Sequence, residues 1–449
     1  LFFWFFITSD YFVFIFIDDL VPALPTYGNS DVLAPNITRL ANEGIQFNRA
    51  YCNVPVCGAS RASLLSGLRP HWPNRFKNYN SRADEDCPEV VTLPEHLLKN
   101  GYTTISNGKV FHHQYDTEKA WSEPPWKPDT TTVIHFLNVN YLDSASMAYI
   151  NPKRGAGPYF EAADAPDSLY FDGKLARKTI LDIQKLAKNK EPFFLAVGFH
   201  KPHLPFNAPK KYFDRYNQNK IAIAKNRFKP KNLPSFIKGS REIFTYGRLD
   251  HYNTLEFHRE ARKAYYACIS FVDTQIGLIL NELTKQHLTD NTIIILIGDH
   301  GYHLGEHNFW GKHNVLIQSL HSPMIFKIPR NKSDEISNIT EFVDIYPTLC
   351  DLAGINKPHH LQGKTMMPLI ERNDKTWENT AYAEWKGART IITDRYCYST
   401  WINENNEGTE MLFDHNNDPL ENENIAGCDE YKDEVKEHRS KIDSLYQTF

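Results

Sequence analysis

The sequence predicts an α/β fold: a large, mainly parallel sheet sandwiched by helices, with a smaller antiparallel sheet toward the C-terminus. Three observations carry this. Continuous apolar runs at residues 12–17 (FVFIFI), 192–199 (PFFLAVGF) and 292–297 (TIIILI) read as strands buried on both faces. Amphipathic helical stretches lie between them. Each run is followed by polar side chains, Asp18-Asp19, His200 and Asp299-His300. In open parallel sheets ligands bind beyond the carboxyl ends of the strands, so convergence of these three ends is the simplest site.

The elements follow in order. Residues 1–7 (LFFWFFI) are too short to span a membrane and read as an export-signal remnant, a tag scar or an edge strand. Residues 35–43 have helical spacing in Ile37, Leu40 and Ala41 and stop at Gly44. Thr92-Leu-Pro-Glu95 fits a capping box opening a helix to Asn100, with Gly101 as its left-handed stop. Residues 172–189 place Leu175, Ile180, Ile183 and Leu186 on one stripe. A long helix is expected within residues 253–287, with Phe257, Ala261, Tyr265, Cys268, Val272 and Ile279 inward. After about Lys364, strand-like pieces at 380–385, 389–393, 396–402 and 410–413 alternate with Gly, Asn and Asp turns, and a helix closes the chain from Asp429. The expected division is a catalytic domain over residues 1–370 and a C-terminal α+β subdomain over 371–449.

The 449 residues are 41% hydrophobic and 23% charged, which excludes disorder as the main state. A net charge of −4 gives no reason to expect a nucleic-acid partner. No apolar run reaches the roughly 18 residues of a transmembrane helix. The seven cysteines contain no CxxC pair, so a cysteine-based zinc site is not expected, and the odd count leaves at least one unpaired. Asn36-Ile-Thr38, Asn331-Lys-Ser333 and Asn338-Ile-Thr340 are glycosylation triplets of a kind common by chance.

Asp18-Asp19 alone reads as a turn, but neighbouring carboxylates repel and a cation is the usual remedy. Asp299-His300 after a second buried strand supplies a third carboxylate, suited to a hard cation such as Ca²⁺ or Mg²⁺. Cys57-Gly-Ala-Ser-Arg61 opens a short helix of small residues. A thiol there meets the positive end of the helix dipole, and Arg61 one turn on can join it in holding an anion. A packed core thiol is an equal reading. Residues 210–231 carry eight Lys/Arg against one acid, Asp214, which is either a solvated face or a capture surface for an anionic polymer.

Cys57-Gly-Ala-Ser-Arg61, followed by a small-residue helix and Gly67-Leu-Arg-Pro70, resembles the signature of type I, formylglycine-dependent sulfatases of the alkaline-phosphatase-like superfamily. Asp18-Asp19, Gly108-Lys109-Val-Phe-His112, His200-Lys-Pro-His203, and Asp299-His300-Gly301 with Lys312 thirteen residues beyond Asp299 fall in that family's order. The branch most resembled is iduronate-2-sulfatase-like, from about Val13 to about Ala426. Val21 departs from the pattern, where relatives often carry a basic residue.

The resemblance implies a carbohydrate sulfatase, a sulfuric ester hydrolase, in which Cys57 is converted to formylglycine. Asp18, Asp19, Asp299, His300 and the modified Cys57 would hold Ca²⁺, or Mg²⁺. Arg61 would steady the hydrated aldehyde and His112 contact one of its hydroxyls. Lys109 and Lys312 would bind sulfate oxygens, and His200 would protonate the leaving alcohol. His203 and His303 are expected at the substrate, while His307 and His313 are read equally as sugar-pocket or ordinary loop residues. The expected substrate is a sulfated uronate or rhamnose of a glycosaminoglycan or an ulvan-type polysaccharide. A formylglycine-generating or anaerobic maturation enzyme is the implied partner, and a periplasmic or secreted location the implied setting. The alternatives are a phosphomonoester or phosphonate-ester hydrolase on the same scaffold, and a non-catalytic sulfated-glycan binding protein.

Overall fold

Strand β1 (Tyr11–Ile17) lies inside a seven-stranded sheet, hydrogen-bonded in parallel to β4 (Phe193–Phe199) on one side and β5 (Thr292–Gly298) on the other. With β2 (Ile45–Tyr51), β3 (Thr103–Gly108), β6 (Met324–Lys327) and β7 (Asp334–Glu341), the order across the sheet is β7-β2-β6-β5-β1-β4-β3. β6 runs antiparallel to both of its neighbours, and the other pairings are parallel. The computed structural model describes residues 11–128, 134–136, 139–142, 156–373 and 375–447. Residues 1–7, read above as signal, scar or strand, lie outside them.

Alternation along β1 feeds two cores. Phe12, Phe14 and Phe16 face one side, against helices α2 (Cys57–Ser66) and α3 (Leu93–Lys99). Val13, Ile15 and Ile17 face the other, against α1 (Pro35–Asn42), α4 (Phe171–Asn189) and α5 (Leu255–Lys285). Helices on both faces explain why the strand is apolar throughout and not alternating. Thr254 starts α5 as an N-cap, its side chain accepting from Phe257 N at 3.1 Å.

Two local expectations are corrected. Thr92 makes no capping bond, its Oγ1 being buried without a hydrogen-bond partner, and the Glu95 side chain pairs with Lys99 at 2.9 Å instead of reaching back. The helix still ends as expected, with Gly101 at φ +88°. On α4, Ile180 is only half-buried, while Asp172, Thr179 and Asp182 point inward. Their partners explain it: Asp172 accepts the amides of His200 and Lys201, and Asp182 accepts from Asn107 Nδ2 at 2.6 Å.

Strands β8 (Ala381–Trp385), β9 (Ala388–Ile392), β10 (Tyr396–Trp401) and β11 (Glu410–Asp414) form the antiparallel C-terminal sheet in sequence order. Helix α6 (Lys432–Tyr446) covers it through Val435 and Ile442, against Ile391, Tyr398 and Leu412. All seven cysteines are free. Among the described residues no helix is long and apolar enough to cross a membrane.

Candidate active site at the strand ends

Register creates the site. Ile17 is the lateral partner of both Phe199 and Gly298, and Gly108 is paired with Gly198. The residues that follow, Asp18, His200, Asp299 and Lys109, therefore emerge abreast. Gly198 is required where these strands end: a Cβ there would lie 2.0 Å from the Lys109 carbonyl carbon. Asp19 takes φ +61°, a left-handed conformation unfavourable for a non-glycine residue, and such strain clusters at functional sites.

Asp18, Asp19 and Asp299 are fully buried, and each meets cations. Lys109 Nζ lies 2.5 Å from Asp18 Oδ2. Arg61 reaches Asp299 Oδ2 at 2.8 Å and Asp18 Oδ1 at 3.4 Å. Lys312 Nζ lies 2.8 Å from both oxygens of Asp19 and 3.0 Å from Glu242 Oε2. Burial raises the pKa of Asp19 to about 6 against the pull of Lys312. Burial pushes Asp18 the same way, but Lys109, His203 and Arg61 outweigh it and hold that carboxyl well below the usual range.

Cys57 is the first residue of α2, so its sulfur sits at the amide end of a ten-residue helix. Donor atoms of Asp18, Cys57, Asp299 and His300 all lie within 4.8 Å of one another. His300 Nε2 is buried without a hydrogen-bond partner, 3.3 Å from Asp19 Oδ1 and 3.6 Å from Asp299 Oδ1. Two carboxylates and one orphaned imidazole nitrogen beside the Cys57 sulfur fit a divalent cation, while Asp19 is grouped with His203 and Glu242.

Histidines rim this cluster. His112 leaves a buried Nδ1 unpartnered, and burial with Lys109 nearby lowers its pKa to about 3. His200 is positioned through its backbone amide, which donates to Asp172 Oδ1 at 2.8 Å. Burial, then Lys109 and Lys201, push its pKa well below the ordinary imidazole value. His203 Nε2 lies 3.1 Å from Glu242 Oε1. Donor atoms of Asp18, His200 and His203 also come within 4.8 Å of one another.

His303 does not fit the expectation of substrate contact. It is fully buried, packed against His307 and Phe309 with Nε2 facing Asn314, and offers no surface to a ligand. His307 is likewise buried, its Nε2 on the Leu420 carbonyl oxygen at 2.7 Å. Sequence reasoning missed Glu242, which bridges Lys312 and His203, and Asp172, which holds the turn carrying His200. It also missed Lys127, whose pKa burial, Lys109 and Arg61 lower to about 8. Glu242 lies in no motif and 57 residues before Asp299, so only a contact map finds it.

Buried carboxylates, ammonium and guanidinium groups beyond the ends of parallel strands, with the thiol of a helix N-terminus among them, form a site suited to an anionic ester. The sulfatase family matches residues 10–355, and the C-terminal region of N-sulphoglucosamine sulphohydrolases matches residues 305–448. Iduronate 2-sulfatase of Homo sapiens is 31% identical over 395 residues, 77% of this chain and 69% of that protein. The solved structure of BT4656 in complex with its substrate D-glucosamine-2-N,6-O-disulfate superposes with a TM-score of 0.76 at 22% identity, covering 98% of both chains. The phosphonate monoester hydrolase of Agrobacterium radiobacter gives the same TM-score at 23% identity, over 98% of this chain and 95% of that one, so the scaffold alone does not choose the ester. The chain belongs to the sulfatase family and is a sulfuric ester hydrolase.

Proposed function

We propose that this chain is a carbohydrate sulfatase that removes sulfate from a sulfated oligosaccharide or polysaccharide, using formylglycine made from Cys57. The observation that carries the reading is Cys57 at the helix N-terminus, its sulfur grouped with Asp18, Asp299 and His300. The likeness to iduronate 2-sulfatase supports a sulfated sugar as substrate.

Asp18, Asp19, Asp299 and His300 would hold Ca²⁺ or Mg²⁺, which supplies Lewis-acid polarisation of the sulfuryl oxygens. Formylglycine at position 57 supplies, as its hydrate, an oxygen nucleophile and a second hydroxyl that permits release of sulfate. The lysines support a metal here. Lys109 and Lys312 are engaged by Asp18 and Asp19, and a divalent cation held by those carboxylates would leave both lysines available to sulfate oxygens. Arg61, locked on Asp299 and the Val110 carbonyl, keeps a fixed positive charge against the developing anion. His112 would orient the nucleophile through its unpartnered Nδ1. His200, whose pKa burial and Lys109 lower in the free site, would take up a proton with the anionic substrate and give it to the bridging oxygen as the S–O bond breaks, leaving the alcohol neutral.

A maturation enzyme acting on Cys57 and a periplasmic or secreted setting belong to this reading, as does a C-terminal subdomain over residues 371–449. The test is the mass of the tryptic peptide containing residue 57, combined with turnover of aryl sulfate, aryl phosphate and sulfated disaccharides. Conversion lowers the peptide mass by about 18 Da. An unconverted Cys57 in protein that turns over sulfate esters refutes the formylglycine route. Preference for aryl phosphate refutes the choice of ester.

A further inference from the structure

A second concavity adjoins the strand-end cluster and is roofed by the C-terminal sheet. It is a cavity of about 490 Å³, within the roughly 300–1,000 Å³ of small-ligand sites. Its walls come from three segments far apart in sequence: residues 236–241, residues 313–315, and the C-terminal sheet around Trp385, Lys386, Trp401 and Asn403. Two of these segments are continuous with the cluster. His313 follows Lys312, and Arg241 precedes Glu242, the carboxylate that holds Lys312 at 3.0 Å.

The local structure is built to present this wall. Lys386-Gly387 forms the two-residue turn between β8 and β9, with φ +48° and +82°, both positive as in a type I′ hairpin turn. Asn403 Nδ2 pins the turn by donating to the Lys386 carbonyl oxygen at 2.7 Å. His313 takes φ +79°, unfavourable for a non-glycine residue, and its ring stacks on Trp385 at 5.2 Å with 15° between planes. Asn314 holds the facing loop through the Lys238 carbonyl oxygen at 3.4 Å.

Charge is what distinguishes the cavity. Lys238, Arg241 and Lys386 line it and no acid does, in a chain whose net charge is −4. All three are exposed, and none forms an ion pair among the described residues. In the adjoining cluster Arg61, Lys109 and Lys312 each hold a carboxylate. Unpaired cations beside amides and aromatic walls match an anionic, hydroxyl-rich ligand.

We propose that this cavity is a subsite for the saccharide unit adjoining the one that carries the scissile sulfate, and that it selects a unit bearing its own anionic group, a carboxylate or a second sulfate. The assignment rests on the carbohydrate-sulfatase reading above. Lys238 and Lys386 are its specificity-determining residues, and Trp385 with His313 forms the rigid wall beside them.

The test uses full-length protein with residue 57 shown to be converted. Three disaccharides share one sulfated ring, and the second ring carries a carboxylate, a sulfate or neither. Wild type is expected to favour at least one anionic second ring by about ten-fold or more in kcat/KM, the size of one charge-assisted hydrogen bond. Lys238→Ala and Lys386→Ala should each erode that preference several-fold, mainly through KM, and together remove most of it, with Arg241 left in place, while Lys386→Arg retains most of it. No preference in wild type, or equal losses on the anionic and neutral disaccharides, overturns the subsite and leaves the sulfatase reading intact. Failure of converted wild type on every sulfate ester overturns the sulfatase reading itself. Calorimetric titration of a sulfate-free uronate disaccharide into Cys57→Ala protein then decides the subsite, which falls if Lys238→Ala and Lys386→Ala leave binding unchanged.

Discussion

The strand-end cluster and the basic run at residues 210–231 use the same charged groups in opposite ways. In the cluster, three fully buried carboxylates meet Arg61, Lys109 and Lys312, each delivered by a different element. In the run, Lys210 pairs with Asp214 at 2.6 Å, Lys211 with Asp167 at 2.7 Å and Lys231 with Glu423 at 2.6 Å, all on exposed lysines. Arg215 lies over the Tyr212 ring at 4.7 Å. Three of the eight cations in this conspicuous stretch are thus ion-paired, on lysines bathed in water, where ion pairs contribute little. The cluster, scattered over about 300 residues, is where each charge acts at low dielectric.

Removing single groups should expose that difference, beginning with the largest effect. Cys57→Ala should abolish turnover, by roughly 10⁴-fold or more, with the circular dichroism spectrum unchanged. Cys57→Ser should be nearly as inactive, and steady turnover near the wild-type rate would remove the formylglycine mechanism.

Asp299→Asn should lower activity on the order of 10²–10³-fold together with bound divalent metal, read by elemental analysis. It also leaves Arg61 without its 2.8 Å partner, so the melting temperature should fall, since breaking a buried ion pair costs roughly 3–5 kcal/mol. A metal-free, fully active protein would show that the carboxylates serve only Arg61 and the lysines.

His200→Ala should lose about 10²–10⁴-fold on sulfated sugars and much less on nitrophenyl sulfate, whose leaving group needs little protonation. Equal losses on both would move the acid role to His203, which shares the corner with Asp18.

Neutralising three or four charges within residues 210–231 should give the smallest change, a few-fold rise in KM on long sulfated chains that shrinks at high salt. Unchanged kinetics on polymer at low salt would make the run a solvated face and complete the contrast with the cluster.

The parts whose signal is local are legible in the amino-acid order alone. β1, β4 and β5 are unbroken apolar runs, so their existence, their burial and the polar residues beyond them could be read directly. β3 could not, because its buried Thr104, Ser106 and Asn107 look like a loop until Ala120 and Asp182 arrive to bond them. β7 could not either, since it is an edge strand with exposed Glu335 and Ser337. The Glu95 half of the capping box and the inward place of Ile180 are not legible locally, because Lys99 takes the Glu95 side chain and Asn107 draws Asp182 inward. Three-dimensional packing alone makes Glu242 join Lys312 to His203, His303 part of the core, and Lys238 and Lys386 line one cavity. The physical reason is the same in each case: a backbone pattern is set by neighbours in the chain, whereas the energy of a charge is set by whatever the fold brings within a few ångströms of it.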